Sequence, residues 1–571
     1  MKKFAVKVEQ GKEGRDGQPS VGPVYRNLLS EHEYPPVDPN LSTAWEVFRA
    51  SVEMYPENRM LGWRESVDGK VWGPYLWKSY KQVYHETLHT GSALRAHGIQ
   101  PGARIGIYGT NCPQWIVAME ACSAHGFICV PLYDTLGPGA VNYIIDHAEI
   151  DVVFVQDKKV KELLDPECTH AQRLKLIICF TSLNEEQKNK TATMGIKPYS
   201  WSGFLNMGRE NPSEILPPEP SNICTIMYTS GTSGDPKGVL KGLEELNWRR
   251  RKIFDMLYKN KLYWMTRGYK QKDASPLADL LAFRKVKNRL GGRLRLIVSG
   301  GAPLGREIEE FLRVTSCAFV VQGYGLTESC GLTTLGFPDD MDLIGTVGSP
   351  FVYSEIRLEE VPEMGYNPLG EPSCGEVCIK GKTGFAGYYK NPELTREVLT
   401  DGWFHTGDIG EMLPNGIVKI IDRKKNLVKT SLGEYVAVEY LEKVYGITPM
   451  VEDIWVYGDS FKSMLVAVVV PNEEAIKKWG HQNGQKESSF LGLCSLDKLK
   501  DHIIIELKLT AERNKLRGFE HIKGVIVEPQ LFELSEKELV TATLKKRRDR
   551  LLKHYKVEID ALYQKLTKAA K

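Results

Sequence analysis

The chain of 571 residues carries 75 basic and 72 acidic side chains, a formal charge of +3, with 42% hydrophobic and 26% charged residues. That length exceeds what one hydrophobic core supports, so at least two domains are predicted, and the near balance of charge leaves no global field to recruit nucleic acid. Eleven cysteines without a CxxC pair argue against a disulfide framework and for a reducing compartment.

Residues 1–40 are rich in polar side chains and proline and read as an arm with little structure of its own. The opening MKKFAVKVEQGKEGRDG lacks the apolar run of a secretion signal, and no stretch of about 18 apolar residues marks a membrane span. Helical patterns at 45–55 and 80–97 then alternate with short apolar strands at 104–108, 152–155 and 174–179. Such alternation predicts a parallel sheet covered by helices. The apolar stretch 105–132 is interrupted by Asn111, Glu120 and two prolines, so it reads as a buried βα unit. Pro/Glu-rich residues 212–220 form a surface connection, after which YTSGTSGDPKGV emerges from an apolar segment at 228–239.

This run is built to wrap a polyphosphate. Gly231 and Gly234 let the backbone approach an anion, Thr229, Ser230, Thr232 and Ser233 offer hydroxyl donors, and Lys237 supplies a mobile positive charge. No Walker pattern can be read through it, so ordinary ATPase chemistry is not indicated. Two further strands, 293–298 and 318–322, run into SGGAPL, which holds Gly301 and Ala302, and into GYGLTE at 323–328. Both place small residues just past a strand's carboxyl end, where open α/β sheets hold ligands. In the second, Tyr324 can stack on a purine, Thr327 can bond a phosphate oxygen and Glu328 can hold Mg²⁺. A plain helix cap is the alternative for this turn.

After residue 355 the text changes to strands and turns, with a hairpin predicted to reverse at 414–416. Asp408, between glycines, suits a bidentate grip on ribose hydroxyls, and Arg423 adds a donor to ribose or phosphate. His405 reads as a packing or hydrogen-bonding residue rather than a catalytic one. A separate α+β region follows from Arg423, with a strand at 463–470 and an amphipathic helix at 497–516. LVTATLKKRRDRLLKHY at 539–555 joins a Thr-rich turn to a basic helix.

In combination and order, YTSGTSGDPKGV, SGGAPL, GYGLTE, WFHTGDIG, IIDRKKN and LGEYVAVE resemble the long-chain acyl-CoA synthetases of plants and other eukaryotes, from about residue 42 to 566. The resemblance implies the adenylate-forming α/β fold: a large N-terminal domain of α/β layers with a β-rich subdomain (41–421), a hinge (422–427) and a small mobile α+β domain (428–571). It also implies a two-step reaction in which a long-chain fatty acid and Mg·ATP give an acyl-adenylate and pyrophosphate, and CoA then displaces AMP. Thr229 to Lys237 match the pyrophosphate loop, Tyr324 the adenine side, Thr327 the phosphate contact and Glu328 the metal ligand, with Gly301, Ala302 and Gly325 as further nucleotide-binding residues. Asp408 and Arg423 match the ribose contacts, and Gly433 opens the segment matching the CoA tunnel. Lys545 aligns with the adenylation lysine, with Lys546 as its rival. Peripheral attachment to the cytosolic face of intracellular membranes, the endoplasmic reticulum first, is also implied; the terminal KAAK is not a peroxisomal SKL-type signal. The cationic pattern at 243–269 can contribute to attachment, or serve as an ordinary core or surface helix.

One departure matters. Only residues 240–298, 59 in all, separate the phosphate loop from SGGAPL, where relatives carry several more strands and helices and an aromatic, leucine and histidine stretch beside the acyl tunnel; no histidine lies between 171 and 404. Such a loss is expected to expose a sheet edge and apolar faces. It leaves two expectations: a long-chain acyl-CoA ligase impaired in its acyl pocket, or an inactive splice-type or gene-model product retaining nucleotide or partner binding. Smaller departures are Ser233, where a second threonine is usual, and Leu432, where glutamine is common.

Overall fold

A computed structural model describes the chain except residues 1, 16, 67–71, 133–139, 165–172, 229–247, 302–303, 432–433, 486–488, 536, 538, 541–545 and 570–571. It divides into two compact units, one of residues 36–230 and one formed by 1–35 together with 231–571.

In the first unit, short apolar segments form a five-stranded parallel sheet in the order Ile128–Leu132, Arg104–Tyr108, Val152–Val155, Leu176–Cys179, Lys197–Ser200. Val152–Val155 and Leu176–Cys179 are buried throughout, which is why they read as unbroken hydrophobic runs rather than alternating ones. The predicted helices are Ala44–Met54 and Tyr80–Ala96, each started by a reciprocal capping box, Thr43 with Glu46 and Ser79 with Gln82. Their apolar faces meet the sheet in a core that includes Trp45, Val83, Ile105, Ile107, Phe154 and Phe204. The segment entering the predicted phosphate loop runs parallel to the sheet edge: Cys129 N–H donates to the Cys224 carbonyl at 2.9 Å and Ile226 N–H to that of Cys129 at 3.0 Å. Tyr228 Oη shares a 2.7 Å hydrogen bond with His147 Nδ1. The loop itself, from Thr229 through Lys237, lies outside the described residues.

In the second unit the expected arm is structured. Ala5–Glu9 and Val24–Asn27 pair antiparallel and join the sheet formed by Ser354–Glu359, Ser373–Gly381, Trp403–Met412 and Val418–Arg423. Buried Phe4, Ala5, Val24 and Tyr25 supply the apolar side; two four- or five-residue strands 300 residues away from their partner give no local signal strong enough to read. The hairpin between Trp403–Met412 and Val418–Arg423 turns where expected, with Gly416 at φ +83°. Beyond it, the three-stranded sheet Val451–Tyr457, Leu465–Pro471, Ile522–Val527 carries the helices Val438–Gly446, Asp497–Arg513 and Arg548–Ala569.

A four-stranded sheet runs Leu296–Ser299, Phe319–Leu326, Gly331–Leu335, Ser349–Pro350. Its second strand extends further than the sequence suggested, because Gly323-Tyr324-Gly325 continues as strand, antiparallel to Gly331–Leu335, instead of turning. Gly325 has to be glycine: a Cβ there would stand 1.7 Å from the Gly331 carbonyl oxygen. Leu296–Ser299 is the outer strand, and among the described residues no strand pairs with its far side. Leu296 and Val298 are 51% and 57% exposed, the unpaired edge and apolar face anticipated for a shortened sheet. Nearby, helix Trp248–Met265 is a packed helix: Phe254, Lys261 and Met265 are buried and Leu257, Tyr258 and Leu262 partly so, at helical spacing against Phe283, Phe311 and Val314.

Helix Arg306–Thr315 locks this sheet from beneath. Glu309 is fully buried and uses both oxygens: Arg313 donates to Oε1 from Nε and Nη2 at 3.0 and 2.7 Å, while Gln322 Nε2 and Gly345 N–H donate to Oε2 at 2.6 and 2.9 Å. Gln322 Oε1 in turn accepts from Leu304 N–H at 2.9 Å, tying the SGGAPL loop to the strand bearing Tyr324. Removing one partner of a buried ion pair strands the other charge without water. Arg313→Ala is therefore expected to destabilise the fold by about 3–5 kcal/mol, read as a lowered denaturant midpoint; an unchanged midpoint would show that the network carries no stability.

Candidate active site

Strand Phe319–Leu326 brings Tyr324 to Asp408 on strand Trp403–Met412, and cross-strand pairing brings Arg423 to the same carboxylate. Tyr324 Oη donates to Asp408 Oδ2 at 2.7 Å, and Arg423 Nε lies 3.3 Å from Oδ1. Tyr324 and Leu326 pack on a core of Ile356, Val377 and Val418, which fixes the aromatic ring against the larger sheet. Burial raises the Asp408 carboxyl above its ordinary range, against the pull of Tyr324 and Arg423. Burial and then Asp408 keep the Tyr324 hydroxyl protonated well above its usual range, so it stays a donor.

The turn presenting Asp408 is itself pinned. Thr406 Oγ1 donates to the Val377 carbonyl at 2.7 Å and accepts from Asp408 N–H at 3.0 Å, while Gly407 N–H donates to Glu376 Oε1 at 3.0 Å. Asp422, beside Arg423, accepts from Arg423 N–H at 2.7 Å and from Glu439 N–H at 3.2 Å, in the first turn of helix Val438–Gly446.

Thr327 is exposed and Glu328 half-buried on a short 3₁₀ turn that ends at left-handed Cys330. Glu328 is held from a segment the sequence reading passed over: Tyr388 Oη donates to its Oε1 at 2.9 Å, and Phe385 N–H to its carbonyl at 2.8 Å. Tyr388 is anchored through its own N–H to Thr395 Oγ1 at 2.9 Å. The only local sign was the aromatic cluster of FAGYYKNP. Gly301, at φ +78°, follows the outer strand Leu296–Ser299 and needs the left-handed conformation open to glycine.

Tyr324, Gly325, Thr327, Glu328, Asp408 and Arg423 thus belong to one described assembly, joined by Glu376, Thr406 and Tyr388, which sequence reasoning missed. Thr229, Ser230, Gly231, Thr232, Ser233, Gly234, Lys237, Ala302, Gly433 and Lys545 lie outside the described residues. Lys546, the rival lysine, is engaged: its Nζ lies 2.9 Å from Asp453 and 3.8 Å from Glu442, and Arg548 grips Glu442 with two 3.0 Å bonds.

Residues 48–266 and 252–389 match the family model of AMP-binding enzymes, in two pieces that overlap at 252–266. The adenylation domain of a carboxylate reductase from Mycobacterium chelonae superposes with a TM-score of 0.72 at 24% identity, covering 92% of each chain; an anthranilate CoA ligase bound to anthranoyl-AMP gives 0.64 at 17%, covering 92% of this chain and 99% of that one. The fold is that of the adenylate-forming enzymes. Long chain acyl-CoA synthetase 1 of Arabidopsis thaliana is 56% identical over 99% of both chains, and long chain acyl-CoA synthetase 5 of the same plant 43% over 99% and 98%. The chain belongs to the long-chain acyl-CoA synthetase family. The first of these alignments spans 658 positions, 87 more than the 571 residues here, so at least that many positions of the relative have no counterpart in this chain.

Two outcomes test the geometry. Asp408→Asn and Tyr388→Phe each remove a charged hydrogen bond worth about 1.5–3 kcal/mol; Asp408→Asn is expected to raise the ATP Kd roughly tenfold or more, and Tyr388→Phe to lower turnover with little change in ATP affinity, both read by nucleotide binding and steady-state rates. Equal effects on both quantities in Tyr388→Phe would count against its hold on Glu328. The second concerns Asp422, whose carboxyl burial, and then Glu439, push up from 3.8 to about 6. The folded chain keeps this proton where the unfolded chain has released it, so stability falls as pH rises through the window from 3.8 to about 6 and is flat above. Asp422→Asn should flatten that slope and stabilise the protein at pH 7 by about 1–2 kcal/mol; an undiminished slope in denaturation at pH 4.5 and 7 excludes Asp422 as its source.

Proposed function

We propose that this site activates a long-chain fatty acid with ATP and passes it to CoA. The carboxylate oxygen of the acid attacks the α-phosphorus, the bond to the β-phosphate breaks and pyrophosphate leaves. The CoA thiolate then attacks the acyl carbonyl and expels AMP. The observation that carries this reading is the desolvated Asp408 carboxylate, held between Tyr324 and Arg423. A carboxylate so fixed suits the vicinal hydroxyls of a ribose, with Tyr324 against adenine beside Gly325, Gly301 and Ala302.

Glu328 fits a magnesium ion: it is a hard oxygen donor, half-exposed, with one oxygen already oriented by Tyr388. When bound with ATP, Mg²⁺ would neutralise phosphate charge. Thr327 donates to the phosphate, and Thr229, Ser230, Gly231, Thr232, Ser233, Gly234 and Lys237 cradle the pyrophosphate portion. Residues 422–427 serve as the hinge on which 428–571 turns, first delivering Lys545 to the adenylation step and then Gly433 and its neighbours to CoA. The ion pairs of Lys546 with Asp453 and Glu442 support the assignment to Lys545.

The missing positions belong after Val239. The split family match and the exposed outer strand Leu296–Ser299 support that placement. They also favour a second reading, a form that retains nucleotide but channels no acyl chain. Among the described residues no helix is long and apolar enough to cross a membrane. Exposed Ile253, Met256, Tyr263 and Trp264 beside Arg251, Lys252 and Lys259 suit peripheral contact with the cytosolic face of the endoplasmic reticulum.

Labelled pyrophosphate exchange with oleate, acetate and coumarate separates these readings, run on this chain and on a version with the absent block restored. Oleate-specific exchange is expected in the restored protein; ATP binding without exchange in the short one selects the second reading. Restored Lys545→Ala should lose adenylation about 100-fold or more while Lys546→Ala keeps it, and the reverse would move the register by one residue.

A further inference from the structure

Three neighbouring strands of the larger sheet place a histidine, a cysteine and a carboxylate on one face. Cys378 on Ser373–Gly381 pairs in register with Arg357 on one side and His405 on the other, and Glu359 follows Arg357 by two residues on the same face. Their ligand atoms lie within 4.8 Å of one another: Cys378 Sγ is 3.5 Å from His405 Nδ1, which is 3.8 Å from Glu359 Oε1. In a tetrahedral zinc site the sulfur–nitrogen and nitrogen–oxygen separations are about 3.6 and 3.4 Å, from bond lengths of about 2.3 and 2.0–2.1 Å. The cluster is therefore near ligating geometry before any ion arrives.

The surroundings complete it. Arg357 Nη2 holds the other oxygen of Glu359, Oε2, at 3.1 Å, leaving Oε1 turned to the histidine. The guanidinium is itself stacked 4.4 Å over Trp403. A carboxylate oriented through its second oxygen is the outer-sphere support that metal ligands use. Cys378 is a free, buried thiol, while Glu359 and His405 remain 16% and 19% exposed, so an ion reaches the cluster from the carboxylate side.

We propose that Glu359, Cys378 and His405 form a site for one thiophilic divalent cation of the zinc class, apart from the magnesium site at Glu328 and with its fourth position left to water. On binding, the Cys378 S–H bond breaks, its proton leaves to solvent and the thiolate takes the metal, while His405 binds as the neutral imidazole through Nδ1. The sulfur ligand selects zinc or cobalt over magnesium, which prefers oxygen. Since His405 stands three residues before Asp408 on the same strand, the ion would clamp three strands at the root of the turn that presents that carboxylate.

The test uses the full chain, stripped with chelator, with exposed Cys224 and Cys330 replaced by serine to remove competing thiols. Titration with Co²⁺ in millimolar Mg²⁺ should give one ion per chain with a thiolate-to-cobalt absorption band, displaced by Zn²⁺, and calorimetry in buffers of different ionisation enthalpy should show about one proton released. Cys378→Ser should abolish the band, and His405→Gln and Glu359→Gln should each weaken binding about tenfold or more. His405→Gln, at a partly exposed position, decides the matter if Cys378→Ser misfolds. No retained cobalt, a band that persists in Cys378→Ser, or binding unchanged in His405→Gln overturns the proposal.

Discussion

The candidate nucleotide site depends on a carboxylate taken almost out of water. Asp408 is 4% exposed, and burial would drive it towards its neutral form were Tyr324 and Arg423 not bonded to its two oxygens. Those partners come from different sheets, the tyrosine from the four-stranded one and the arginine from the hairpin of the larger one. One buried charge thereby adds a side-chain tie between two layers that other bonds also join, among them Val418 N–H to the Gly348 carbonyl at 2.8 Å and Asn27 Nδ2 to that of Pro350 at 2.9 Å. The same contacts leave the carboxylate preoriented, so little rotamer entropy remains to be lost when a ligand arrives.

Beneath it, Glu309 performs the equivalent task without chemistry. Its four donors come from a helix, a strand and the loop at Gly345, and through Gln322 it reaches Leu304. The glycine-rich turns can then be permissive in backbone conformation and still be held in place, because the polar network below them is fully satisfied. Tyr388 extends the pattern to Glu328, a residue whose charge would otherwise be free to choose among rotamers.

The outer strand Leu296–Ser299 is the one part of this assembly that looks unfinished. In a parallel pair such as this strand makes with Phe319–Leu326, both faces are ordinarily covered. Here Leu296 and Val298 face water, as does Phe319 on the neighbouring strand. The relative aligned over 658 positions carries at least 87 that this chain lacks, and an edge strand without a neighbour is what the placement proposed above leaves. Tyr324 packs on the larger sheet and bonds Asp408 there, so its position does not depend on this edge.

The linear order of residues determined the nucleotide-handling class, the αβ alternation, and the hairpin that reverses at 414–416, because these rest on short motifs and local periodicity. The short interval between Val239 and Ser299 stood out for the same reason, since the spacing of two local motifs can be counted along the chain. Tertiary structure alone decided that residues 5–9 and 24–27 are strands, that Gly323 to Gly325 extend a strand, that Tyr388 reaches Glu328, and that Glu359, Cys378 and His405 converge. Each of these depends on partners outside the motif itself, from the neighbouring strand Gly331–Leu335 to segments hundreds of residues away, and no pattern confined to a few neighbouring residues records which strands will lie side by side.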